Sequence, residues 1–123
     1  MRDYGADEVV VTETGQEAEQ FAPYRLIVDG VGGELVGKLT AFLAQGGTCV
    51  CYGSSSGNEM KLSLADFYFE NGGQRTLYGF TLYTEVELES ASSGLARLLR
   101  LVEQGRLKTH IDRNTVQLRL KPW

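Results

Sequence analysis

LIVDGVGG, from Leu26 to Gly33, and GGTCVCYGSSSG, from Gly46 to Gly57, are the two stretches that decide the fold of this chain. Each is a short apolar run that ends abruptly in small, flexible residues. A helix-length segment, Glu34 to Gln45, lies between them. Strand, glycine tip, helix, strand, glycine tip is the order of a parallel α/β sheet, which binds ligands at the carboxyl ends of its strands. The Gly-x-Gly-x-x-Gly turn that opens a complete sheet of this kind is absent. The sequence therefore predicts part of such a sheet, a half of a doubly wound, Rossmann-like fold.

Outward from these stretches, EVVVT (8–12) reads as a short strand and residues 16–21 as about two helical turns. YRLIVD (24–29) is nearly continuous in apolar residues, the pattern of a strand covered on both faces. Leu35, Val36, Leu39, Phe42 and Leu43 make one apolar stripe on a helix over 34–44, which Gly46 and Gly47 would cap. A strand over 48–52, a polar loop over 54–61 and a short helix over 62–71 come next. RTLYGFTLY, from Arg75 to Tyr83, reads as a further strand. Ser90 to Gln104 is the clearest helix, with a serine cap and Leu95, Leu98, Leu99 and Val102 as its buried face. The tail, 106–123, alternates weakly and suits one or two edge strands. The expectation is one domain, 1–123, with a sheet of about four parallel strands and flanking helices.

Composition narrows the function. A net charge of −4 with scattered Lys and Arg gives no electrostatic footprint for nucleic acid. No apolar run approaches a membrane span, and the N-terminus has no secretion pattern, so a cytoplasmic location is expected. Cys49 and Cys51 point the same way from one strand, where a disulfide would distort the extended backbone. They read as reduced, buried thiols. His110 is the one histidine and has no ligand cluster around it, so no metal site is assigned. Asp29 could act as an acid or base, but at a strand-end turn it is expected to accept backbone hydrogen bonds. No catalytic residue is assigned.

Five pieces in register resemble the cofactor domain of the medium-chain dehydrogenase/reductase superfamily, in its quinone oxidoreductase-like, zinc-binding dehydrogenase branch. They are GADEVVV (5–11), YRLIVDGVGGE (24–34), LAQGGTCVCYGSSSG (43–57), LYGFTLY (77–83) and GLARLLRLVEQGRLKTHID (94–112). The resemblance implies a nicotinamide cofactor, NADPH or NADH, across the carboxyl ends of the strands. It places that cofactor at Gly30, Gly32 and Gly33, at Tyr52, Gly53, Ser54 and Ser55, and at Phe80, Thr81 and Leu82. Without the resemblance, these glycines read as tight turns and the serines as a flexible loop.

The family's phosphate turn, first two strands and catalytic domain have no counterpart in these residues. The expectation is thus the C-terminal part of a cofactor lobe, not active alone, from an oxidoreductase that passes hydride to a quinone or enone. With its inner strands missing, 8–12 is expected to move beside 24–29 as a parallel pair. The family also implies a homodimer through the 75–83 strand edge. A non-catalytic dimerising α/β module is the alternative reading. A methyltransferase-like fragment is a second, because the LIVD…GG pattern recurs in that class.

Overall fold

YRLIVD forms β1 (Tyr24–Asp29), LAQGGTCVC forms β2 (Leu43–Cys51) and TLYG forms β3 (Thr76–Gly79). The computed structural model describes residues 2–68 and 72–110. The strands lie in the order β1-β2-β3, and both pairings are parallel. Val28 pairs with Val50, which pairs with Tyr78; Asp29 pairs with Cys51, which pairs with Gly79. The three carboxyl ends therefore gather along one rim, as the strand–tip–helix order requires.

Among the described residues there are three strands where about four were expected, because 8–12 is not one. A strand needs a ladder partner, and a local alternative competes for this backbone. The Thr12 hydroxyl accepts hydrogen bonds from the amides of Thr14 (3.2 Å) and Gly15 (2.7 Å) and donates to Glu17. Val11 is left almost wholly exposed. The expected helical turns do form, as a 3₁₀ segment over Gln16–Phe21.

The helix between the first two strands is shorter than its apolar stripe. Helix α1 (Gly33–Leu39) gives way to a 3₁₀ turn, Thr40–Phe42, where the Thr40 hydroxyl donates to the Gly37 carbonyl at 2.6 Å. Leu43 then opens β2 rather than closing the helix. The glycines expected as a helix cap lie inside β2 instead. Tyr24 pairs with Leu43 but Leu26 with Thr48, so β2 carries extra residues there. A Cβ on Gly47 would lie 2.9 Å from the carbonyl oxygens of both Tyr24 and Ala44.

Val36 of α1, Leu43 and Cys49 form the buried core, with Ile27, Cys51, Met60 and Phe67 packed on it. Phe67 comes from helix α2 (Leu64–Tyr68), the described part of the helix expected over 62–71. Period-two alternation sends Leu26 and Val28 to the other side of β1, where they are 59% and 60% exposed. The expectation of a strand covered on both faces is therefore not met. At the amino end of β3, Arg75 is buried, and one guanidinium nitrogen donates to the carbonyls of Thr40 (3.4 Å) and Asp66.

The chain divides into two compact units, 1–85 and 86–123, with the boundary inside helix α3 (Leu82–Leu88). The sheet, α1 and α2 belong to the first. The second holds helix α4 (Ala91–Glu103), where the Ser90 hydroxyl accepts from the Ser93 amide at 3.4 Å, as the sequence predicts. Leu95, Leu98, Leu99 and Val102, expected as its buried face, are all exposed. Most of the tail expected as edge strands lies outside the described residues.

Candidate functional site

The rim is built from the tip of β1. Asp29 is buried, and its carboxylate accepts from the amides of Val31 (3.2 Å) and Gly32 (2.9 Å). That is the role its place in a strand-end turn predicts. The turn carries the chain through Gly32 and Gly33, both at positive φ (70° and 69°), into α1. The tip of β2 then closes onto this turn. The amides of Tyr52, Ser55 and Ser56 donate to the carbonyls of Asp29 (2.8 Å), Gly30 (3.4 Å) and Val31 (2.8 Å), and the Gly33 amide donates to the Gly57 carbonyl (3.1 Å). The hydroxyls of Ser55 and Ser56 reinforce two of these bonds.

This closure explains most of the rim glycines. A Cβ on Gly32 would lie 2.5 Å from the Gly57 carbonyl oxygen, and one on Gly53 would lie 2.7 Å from that of Gly30. One on Gly30 would lie 2.7 Å from the Tyr52 phenol oxygen. Gly79, at the tip of β3, is different: a Cβ there would meet nothing within 4 Å.

Beneath the closed tips lies a cavity of about 350 Å³. Val36, Cys51, Met60 and Leu77 give it an apolar floor, and Asp29, Ser54, Asn58 and Glu59 give it a polar rim. Its lining holds two carboxylates and neither lysine nor arginine. Such a wall suits a neutral or cationic ring and donor hydroxyls; it opposes a diphosphate. The size is at the lower end for small-molecule pockets, about 300–1,000 Å³.

Of the ten residues picked from the sequence, Gly32, Gly33, Gly53 and Ser54 line this cavity. Gly30, Tyr52 and Ser55 belong to the contacts that join the two tips. Phe80 comes directly after β3, its amide donating to the Cys51 carbonyl at 2.8 Å. Thr81 is next, and Leu82 opens α3; none of these three is in the lining. The sequence reading passed over Cys51, Asn58, Glu59, Met60, Leu77 and Gly79. The signal for the loop members is the parallel bridge between Gly32 and Gly57, which brings 58–60 back over the sheet.

Cys49 and Cys51 are both free thiols, and their sulfurs are 4.0 Å apart. Burial, then the neighbouring Cys51 and the charge of Asp29, push the Cys49 thiol up to about 12. Among the described residues no three or more His, Cys, Asp and Glu side chains gather into a metal cluster. Also among them, no helix is long and apolar enough to cross a membrane.

A family model described as zinc-binding dehydrogenase matches residues 4–119. The fold is shared with the crystal structure of a protein from Sinorhizobium meliloti 1021 that is described as an alcohol dehydrogenase. The TM-score is 0.64 at 24% identity, over 86% of this chain and 28% of that one. The chain thus spans less than a third of that protein's length. No curated protein matches the chain.

Proposed function

The chain belongs to the zinc-binding dehydrogenase family, and we propose that it forms the nicotinamide-facing part of the cofactor lobe of an NAD(P)H-dependent oxidoreductase. Family membership sets aside the methyltransferase alternative. The observation that carries the proposal is the cavity at the parallel rim, with an apolar floor and two carboxylates on its wall. A nicotinamide ring is flat and apolar on its faces, and positively charged when oxidised. Its ribose brings hydroxyl donors, which Glu59, Asn58 and Ser54 can accept. The diphosphate of the same cofactor would find no cation in this lining, so it lies elsewhere.

The cofactor supplies hydride transfer when bound. The chain's own part is positioning. Asp29 fixes the β1 turn through two amides, the β2 tip locks over it, and the apolar floor keeps water from the ring. The cytoplasmic acceptor proposed is a quinone or an α,β-unsaturated carbonyl, and NADPH is the proposed donor, with NADH as its alternative. Among the described residues β3 is an edge strand, and a homodimer through it belongs to the same reading. A chain that dimerises through this edge and binds no cofactor is the competing interaction-module reading.

Titration of the full chain tests this. Nicotinamide mononucleotide and NADPH should both shift amide resonances of Asp29, Ser54, Asn58 and Gly79 and raise the melting temperature. ADP, which has the diphosphate but no nicotinamide, should leave those resonances unmoved. Equal shifts from ADP, or none from millimolar nicotinamide mononucleotide, would overturn the assignment. A chain that sizes as a monomer would remove the dimer.

A further inference from the structure

We propose that the rim cavity holds oxidised nicotinamide more tightly than reduced nicotinamide, and that Glu59 is the residue that sets this preference. The inference rests on the nicotinamide reading above and extends it to the redox state of the ligand. The two forms of the ring have nearly the same size and shape, but only the oxidised form carries a positive charge. A wall that tells them apart does so by charge. This wall holds Asp29 and Glu59 and neither lysine nor arginine. The floor of Val36, Met60 and Leu77 screens less than water does, so a charge on the wall is felt across the cavity.

The two carboxylates are not equivalent. Asp29 is buried, and its two oxygens accept the amides of Val31 (3.2 Å) and Gly32 (2.9 Å). Those amide dipoles offset part of its charge, and removing it would loosen the β1 turn. The Asn58 side-chain oxygen already accepts from the Ser54 hydroxyl at 2.7 Å. Glu59 is exposed, and its carboxylate makes no hydrogen bond or ion pair among the described residues. It is the wall's uncommitted anion.

Because Glu59 is open to solvent, the expected preference is about tenfold, far below that of a buried charge pair. A tenfold tighter hold on the oxidised form makes the midpoint potential of the bound two-electron couple about 30 mV more negative. Glu59 thereby favours the direction in which hydride, with its electron pair, passes from the ring to the acceptor, since that direction creates the positive charge beside it.

The test is a titration of the full chain with oxidised and with reduced nicotinamide mononucleotide, followed through the amide resonances of Asp29, Ser54, Asn58 and Gly79. Both ligands carry the same phosphate, so the ratio of their affinities reads the ring. The oxidised form should bind about tenfold tighter at low salt, and the ratio should shrink to about threefold or less at about 0.5 M salt. Glu59→Gln keeps a hydrogen-bond acceptor without the charge and should bring the low-salt ratio below about threefold; Glu59→Lys should invert it. Equal affinity for the two forms, or a ratio that Glu59→Gln leaves intact, would overturn the preference while the nicotinamide reading stands. Binding of neither form would remove both. Should a variant fail to fold, the unmutated chain still decides, because a preference unmoved by salt would sink the role of an exposed carboxylate.

Discussion

The tips of β1 and β2 and the tip of β3 end at the same rim, yet they are built on opposite principles. The first two are closed on each other. Their glycines are small because another segment of the chain occupies the space a side chain would fill: Gly57 against Gly32, and Gly30 against Gly53. At β3 the glycine borders open space. A glycine at a strand end is thus ambiguous evidence for a ligand. Only where nothing in the chain claims the room does the small residue leave that room to something else.

Paired substitutions break or sharpen this contrast, and the largest effect belongs to Gly32→Ala. A Cβ there meets backbone at 2.5 Å, and the residue is at φ +70°. Left-handed strain and overpacking together should cost about 2–4 kcal/mol in urea melts. Gly79→Ala should change stability by less than about 0.5 kcal/mol. Because Gly79 lines the cavity, it should weaken nicotinamide mononucleotide binding instead. Equal destabilisation by the two would erase the distinction between closed and open tips.

Asp29→Ala comes next. It would leave the amides of Val31 and Gly32 without their acceptor at a buried position. The expected loss is about 1–3 kcal/mol. The Val31 and Gly32 amides should exchange with solvent much faster, while amides of β3 keep their protection. A uniform rise across the sheet would mean that the β1 turn is not a separately held unit.

These contrasts also show what could be read from the sequence. β1 was legible to the residue, because a run of apolar and β-forming positions ends in an acid and a glycine pair that can only turn. α4 was legible within a residue at each end, because a serine cap and a glycine stop frame a 3.6-residue apolar repeat. EVVVT was misread because its valines have high strand propensity, yet a strand is stabilised by its partner and Thr12 organises a turn instead. At RTLYGFTLY the apolar run hid a boundary. The strand stops at Gly79, and Thr81 begins the turn into α3, accepting at its carbonyl from the amides of Thr84 (3.0 Å) and Glu85 (3.2 Å). The missed site residues share one cause. Cys51 and Leu77 look like core in sequence, and Asn58, Glu59 and Met60 fall in a loop. Only the bridge of Gly57 onto Gly32 brings the two kinds to one wall.

The smallest effect concerns the thiol beneath the closed tips. Cys49 is fully buried, and its thiol is pushed up to about 12, chiefly by burial and then by Cys51 and Asp29. An unfolded chain releases this proton near the ordinary thiol value of about 8.5, whereas the folded chain holds it. Above that value the unfolded state binds fewer protons, so stability must fall as pH rises toward 12 and is fully present below about 8.5. The urea midpoint should drop between about pH 8 and about pH 10.5, and the drop should be smaller in Cys49→Ala. The comparison cancels other alkaline titrations, such as Tyr78, which its bond to Glu85 raises in both proteins. Gly32→Ala should shrink the slope as well, since opening the tips would admit water above this row of the sheet. An unchanged slope in both variants would mean that the buried thiol does not report on the closure above it.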